Sequence, residues 1–156
     1  MFRLSQKQKI KLINFYPPYI GAGIRVKSIN DDITRIEVRM KMHWWKKNLF
    51  GTHFGGSLAS MTDPFYVFIL LMNLGKEYIV WDKASLIKYK RPGKGTVSCV
   101  FEMTLDEIRE IKNQVDGSGK KDFVLPLSIK DNQEKVVCEL EKTIYVKKRS
   151  MSEGSS

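Results

Sequence analysis

The sequence predicts an α+β domain in which an antiparallel sheet wraps around one long apolar helix. Two observations carry that prediction. Residues 57–74 are apolar nearly all round, contain the run FYVFILLM and stop at Gly75. Such a segment reads as a buried helix with a natural C-terminal stop. On both sides of it apolar and polar residues alternate with period two, the pattern of half-buried strands. A helix without a polar face needs cover on all sides, and a curved sheet supplies much of it.

In chain order, residues 4–14 set Leu4, Ile10 and Ile13 among Lys7, Lys9 and Lys11, a short amphipathic helix with a basic face. Pro17 and Pro18 are expected to end it. Residues 24–29 alternate as a strand, and Asn30-Asp31-Asp32 is a turn signal. Ile36, Val38, Met40 and Met42 then alternate with Arg35, Glu37, Arg39 and Lys41, which makes a hairpin. A loop over residues 48–56 leads into the apolar helix. Further strands are expected over 79–89, 96–104, 123–129 and 136–146, with a turn at 91–95. A short charged helix over 105–115 and a flexible turn at 116–119 interrupt them. Residues 1–147 form a single domain, with residues 1–15 as its N-terminal helix, and residues 148–156 a disordered tail.

A chain of 156 residues is long enough for one domain with its own core. Its net charge of +10 favours an anionic partner, such as nucleic acid, acidic membrane or a phosphorylated small molecule, or marks a lysine-rich solvated surface. The lysines are spread along the whole chain and no nucleic-acid module motif is present, so no nucleic acid is expected as partner. The FYVFILLM run falls short of the roughly 20 residues that span a bilayer, so no membrane span is expected. The opening residues lack the apolar core of a signal peptide. Cys99 and Cys138 sit in expected strands with no CxxC or His/Cys spacing. Free thiols in a reducing cytoplasmic setting, and no metal, follow.

One region stands out chemically. Gly55 and Gly56 lie where loop becomes helix. The first turn of a helix leaves N–H groups unpaired, and these can receive a developing oxyanion. Two glycines allow a substrate close to the backbone. Asp63 lies about two turns on in an otherwise apolar helix, where a carboxylate is costly unless paired, hydrated or used. Pro64 has no N–H to give the Ser60 carbonyl. Either the helix kinks there, or a new helix starts with Asp63 as its N-cap and Pro64 at its first position. Cap and catalyst are both open readings of Asp63.

The pattern Asn48-x-x-Gly51-Thr52-x-x-Gly55-Gly56, followed by Leu58-Ala59 and Asp63, resembles the signature of hotdog-fold thioesterases of the phenylacetyl-CoA (PaaI-like) type, and within that superfamily the DUF4442 group. Residues 84–92, ASLIKYKRP, with Gly95 are similar to the strand and turn that follow the hotdog helix. The likeness extends over residues 15–147. It implies hydrolysis of an acyl-CoA or other acyl thioester. Asp63 would act as general base toward water or attack directly. The Gly56 N–H would polarise the thioester carbonyl, and Asn48 would hold the loop or orient water. Gly51, Thr52, Phe54 and Gly55 belong to the same substrate-binding loop. No cofactor is implied beyond the CoA part of the substrate. A homodimer or homotetramer is implied, with the site at the subunit interface. A thioester is reactive, so a placed water, a base and an oxyanion donor suffice.

Lys88, Lys90, Arg91 and Lys94 form the densest basic cluster beside a turn. Lys88, Lys90 and Arg91 are candidates for the CoA phosphates, or a solvated basic edge. Phe65, Phe68, Ile69 and Met72 line an acyl channel or are ordinary core. Trp44 and Trp45 pack at a subunit boundary or sit at a pocket mouth. One departure from the family pattern matters. The usual His-Gly-Gly is here His53-Phe54-Gly55-Gly56, so the histidine position holds Phe54 and His53 falls one residue early. His53 is then a compensating catalytic residue or a loop residue without a role. A hotdog protein that holds an acyl thioester without cleaving it is the second reading.

Overall fold

A computed structural model describes residues 4–150. Its first helix, α1 (Gln6–Lys11), opens on a capping box in which Ser5 and Gln8 satisfy each other's backbone N–H groups. A 3-10 turn over Leu12–Phe15 follows, and then α2 (Pro17–Ala22). The first helical stretch stops before the prolines, as expected, and they also begin a second helix, which was not. Proline fits the first helical turn, whose N–H groups have no partner in any case. Gly23, at φ 79°, closes α2. This second helix brings the buried Tyr19 against the middle of the domain, where its hydroxyl donates to the Asp63 carbonyl.

The sheet has six strands, β1 (Ile24–Ile29), β2 (Arg35–Lys41), β3 (Tyr78–Tyr89), β4 (Thr96–Glu102), β5 (Lys120–Asp131) and β6 (Val136–Lys148), in the order β1-β2-β4-β5-β6-β3. Every neighbouring pair is antiparallel. The β4–β5 seam is short, joining only Val97–Cys99 to Ile129–Asp131, while β5 pairs with β6 along its whole length. Pro126 lies in the part of β5 that has left β4, where a strand can spare an N–H. β3 is an edge strand of twelve residues, and most of its second half is exposed.

The apolar segment is two helices rather than one. α3 (Gly55–Ser60) and α4 (Phe65–Leu74) are separated by residues 61–64, and the Asp63–Pro64 peptide is cis. With no N–H on Pro64, the Ser60 carbonyl takes the Asp63 N–H at 3.4 Å instead. Pro64, not Asp63, occupies the N-cap position of α4, and no side chain caps that helix. The second of the two sequence readings, with Asp63 as cap, is thereby replaced. Met61, Phe65, Ile69 and Leu70 are fully buried against the inward residues Ile36, Val38, Val97 and Phe101 of the sheet. The twenty-residue stretch Gly55–Leu74 has the length and hydropathy of a membrane span, but it is broken at its middle and half buried as this core.

α5 (Leu105–Ser118) starts on a Thr104–Glu107 capping box and runs through the expected flexible turn to Gly119. Asp116 explains the extension: it takes Lys112, Lys148 and the Tyr78 hydroxyl, tying the last turn to the sheet. β5 and β6 are correspondingly longer than expected. Lys148, placed in the tail by the sequence, ends β6 and donates its N–H to the Gly119 carbonyl. Residues 151–156 of that expected tail lie outside the described residues.

Candidate active site

Asn48 organises the loop ahead of α3. Its side-chain oxygen accepts the Phe50 and Thr52 N–H groups, each at 3.0 Å, and its amide donates to Thr52 Oγ1 at 2.9 Å and the His53 carbonyl at 3.2 Å. Gly51, at φ 72°, supplies the left-handed residue this tight turn requires. The turn then delivers His53 into the fold. His53 is buried, its Nε2 is 2.9 Å from the Gly95 carbonyl, and its N–H donates to the Gly93 carbonyl at 3.0 Å. Burial, only partly offset by the Gly95 hydrogen bond, holds its pKa below the usual histidine value and so favours the neutral ring. His53 ties the 48–54 loop to the 91–95 turn.

Phe54 stands at the N-cap of α3 with an exposed ring that folds back over Gly56. A Cβ on Gly56 would lie 2.4 Å from Phe54 Cε1, so only glycine allows this approach. The Ser57 and Leu58 N–H groups both turn to the Phe54 carbonyl, leaving the Gly55 and Gly56 N–H groups at the open end of the helix. Tyr89, at the end of β3, closes over Gly55 with its hydroxyl 3.2 Å from the Gly55 carbonyl.

Three adjoining clefts divide the residues singled out from sequence. A cleft of about 480 Å³ collects Asn48, Thr52, His53, Gly55, Lys90 and Arg91 with Tyr89 as one wall. A second, of about 470 Å³, lies on the other side of the loop and is lined by Phe54, Gly56, Trp45 and Ser60. Asp63 opens into a third, of about 400 Å³, which shares Ser60 with the second. Lys90 pairs with Glu139 at 3.0 Å. Lys88 is set apart: it lines a cleft with Leu86, Glu139 and Glu141, on the face of β3 opposite Tyr89. Trp44 and Trp45 are exposed on the single chain, and Trp45 stacks on His43 at 4.8 Å. Of the apolar candidates, Phe65 and Ile69 are fully buried core, and Met72 is exposed.

The environment of Asp63 contains three side chains that the sequence reading passed over. Asp82 on β3 and Lys142 on β6 form an ion pair, and Lys142 Nζ also donates to Ser85 Oγ at 2.7 Å. The Lys142 side chain is only 3% exposed. All three line the Asp63 cleft. A β-bulge at Lys83 makes the arrangement possible. Register jumps between Asp82 and Ala84, so Asp82 and Ser85 pair with Ile144 and Lys142, both of which face inward. Without the extra residue Ser85 would face outward. Bulges re-aim side chains in this way beside active sites. Burial is the main cause that raises the Asp63 pKa; repulsion from Asp82 and a side-chain hydrogen bond with it add to this, while Lys142 pulls it back.

The missed residues did leave a signal. Lys142 occupies the apolar phase of β6, in line with Cys138, Leu140, Ile144 and Val146, and Asp82 follows Tyr78 and Val80 on the same phase of β3. A lysine and an aspartate at core positions of adjacent strands call for each other. Among the described residues no group of three or more His, Cys, Asp or Glu side chains is placed to hold a metal.

A family profile, the domain of unknown function DUF4442, matches residues 5–146. No curated protein matches the chain. Among solved structures, the chain is similar to the Pseudomonas aeruginosa protein PA5026, described as a protein of unknown function and probable thioesterase. The identity is 18% and the TM-score 0.79, over 95% of this chain and 99% of that one. It is also similar to a protein of unknown function from Chlorobaculum tepidum, at 17% identity and TM-score 0.73 over 92% and 94% of the two chains. The Haemophilus influenzae thioesterase HI1161 aligns at 14% identity and TM-score 0.65, over 94% and 93%. A helix pair cradled by a six-stranded antiparallel sheet, together with these likenesses and a match over nearly the whole described chain, makes the fold a hotdog and the chain a member of the DUF4442 family.

Proposed function

We propose that the protein hydrolyses acyl thioesters, acyl-CoA foremost, with Asp63 as the group that activates water. The observation that carries this reading is the carboxyl of Asp63 itself: it sits in an open cleft at the break between α3 and α4, and burial and a neighbouring carboxylate raise its proton affinity. A carboxylate so placed is a better base than one in water. The Gly56 N–H at the start of α3 is the oxyanion donor. Ser60, whose Oγ donates to the Gly56 carbonyl at 2.8 Å, links the two clefts. Lys90 and Arg91, in the cleft with Asn48 and Thr52, would meet the phosphates of CoA. The long edge of β3 favours pairing with a second copy, in a homodimer or a tetramer built from it.

A second reading has one specific observation in its favour. The position that holds histidine in the resembling enzymes is Phe54, and His53 is already bound to Gly95. The protein would then hold an acyl thioester without cleaving it. Assaying thiol release from short, medium, long and aromatic acyl-CoAs separates the two. Hydrolysis by the wild type, lost in folded Asp63→Ala and Asp63→Asn variants, is the expected result. Binding without release of thiol from any carrier favours the second reading.

A further inference from the structure

We propose that Asp82 and Lys142 are positioning residues for Asp63, forming with Ser85 a charge relay across three elements, anchored on the buried Lys142, that keeps the Asp63 carboxyl aimed into its cleft. This rests on the reading of Asp63 as the base. Lys142 is the one buried basic residue on the inward phase of β6, and its ammonium is almost wholly removed from water. A charge in that position is expensive unless paired and hydrogen-bonded. Asp82 supplies the opposite charge and Ser85 the hydrogen bond. Asp82 lies on the inward phase of β3 with Tyr78 and Val80, and Ser85 joins it because the bulge at Lys83 shifts the phase of the strand. A buried lysine, an inward aspartate and a bulge converge on one carboxyl beside a cleft, although a plain apolar trio would pack the same strands at lower cost.

The charge balance defines what each residue does. Asp63 faces Asp82 from β3 and Lys142 from β6. Tyr19 of α2 binds its main-chain carbonyl, Cys99 of β4 donates to the Met61 carbonyl at 3.8 Å, and Lys83 lines the same cleft. With Lys142 and Asp82 both charged they largely cancel, and Asp63 can lose its proton without leaving a net double negative charge in the fold. Removing the lysine leaves two carboxyls sharing one site, which favours the protonated form of Asp63. Removing the Asp82 charge leaves Lys142 with Asp63 as its only nearby carboxylate, which favours the ionised form.

The experiment is a titration of the Asp63 side-chain carboxyl carbon by carbon-13 NMR in the intact protein, in the wild type, Lys142→Met and Asp82→Asn, with the pH dependence of kcat/KM measured alongside. The midpoint is expected to rise by about one pH unit or more in Lys142→Met and to fall by a similar amount in Asp82→Asn. The acidic limb of the rate profile should follow. If Lys142→Met fails to fold, Asp82→Asn carries the test alone. Midpoints that stay fixed, or that move in the same direction in both variants, overturn the proposal. The NMR arm needs no turnover, so opposite shifts without hydrolysis by the wild type would uphold the relay and reject the hydrolase reading.

Discussion

The imidazole Nε2 of His53 lies 2.9 Å from the carbonyl oxygen of Gly95, forty-two residues away. In the neutral tautomer that makes this bond the proton is on Nε2 and is donated to Gly95. The ring is therefore a clamp between the 48–54 loop and the 91–95 turn, the two walls of the cleft that holds Asn48, Lys90 and Arg91.

A pH dependence of stability follows from that clamp. Burial lowers the folded pKa of His53 below its unfolded value. The unfolded chain then binds the extra proton first as pH falls. The stabilisation is complete above the unfolded histidine pKa, near 6.5, and is lost as pH falls below it toward the folded pKa. Urea unfolding at pH 5 and pH 8 should show the wild type losing more stability on acidification than His53→Gln. Equal losses in the two proteins would show that His53 does not titrate on unfolding.

Asn48 makes the loop ahead of that clamp. Its amide satisfies the Phe50 and Thr52 N–H groups and the His53 carbonyl at once. Asn48→Ala should cost about 1–3 kcal/mol, since partners are left unmade in a partly buried turn. Asn48→Asp keeps the two accepted bonds and should cost less. Hydrogen exchange at Phe50 and Thr52 reads the same order: fast in the alanine variant and protected in the aspartate. Protection at Thr52 that survives in Asn48→Ala would mean the turn is held by something else.

Much of this fold is legible in the chain because local patterns and tertiary demands agree. Alternation over β2 and β6 and the apolar segment 57–74 each state their environment directly. Pro64 announces a break in that segment, but local chemistry alone could not choose between a kink and a cap by Asp63. Packing decided the outcome, with Tyr19 of α2 holding the Asp63 carbonyl in the break. Pro17 and Pro18 mark the end of the first helical stretch, but the helix they begin went unread, because proline fits both places and only the following turn tells them apart. Within the candidate site, the loop motif spans sixteen consecutive positions and can be read as a string. The Asp63–Asp82–Lys142 group cannot, because it depends on the phase of two strands far apart in sequence, and Ser85 joins it only through a bulge that breaks one of them.

Gly56 and Phe54 are coupled through contact. Alanine at Gly56 would put its Cβ into the Phe54 ring, but that ring is 60% exposed and can swing into solvent. Gly56→Ala alone should therefore be close to neutral, as displacement of the ring offsets the usual helical gain. In a Phe54→Ala background the same change should stabilise by about 0.5–1 kcal/mol, the ordinary preference of a helix for alanine. The two values come from denaturant midpoints of the four proteins in the cycle. A gain that is the same in both backgrounds would show that the ring does not rest on Gly56 in solution.

Tyr19 tests whether the break between α3 and α4 is a working part of the site. Its hydroxyl, in a nearly buried ring, donates to the main-chain carbonyl of Asp63. Tyr19→Phe keeps the ring packed against Phe65 and removes only that donor. An acceptor left without a partner in this setting costs about 1–3 kcal/mol. If thioester hydrolysis depends on where Asp63 is held, kcat should also fall, by roughly tenfold, with KM little changed, because small displacements of a base act mainly on the chemical step. The stability loss and the kcat loss should appear together. A variant that loses stability yet keeps full kcat would show that Tyr19 secures the fold alone and that the position of Asp63 is set from the sheet side, by Asp82 and Lys142.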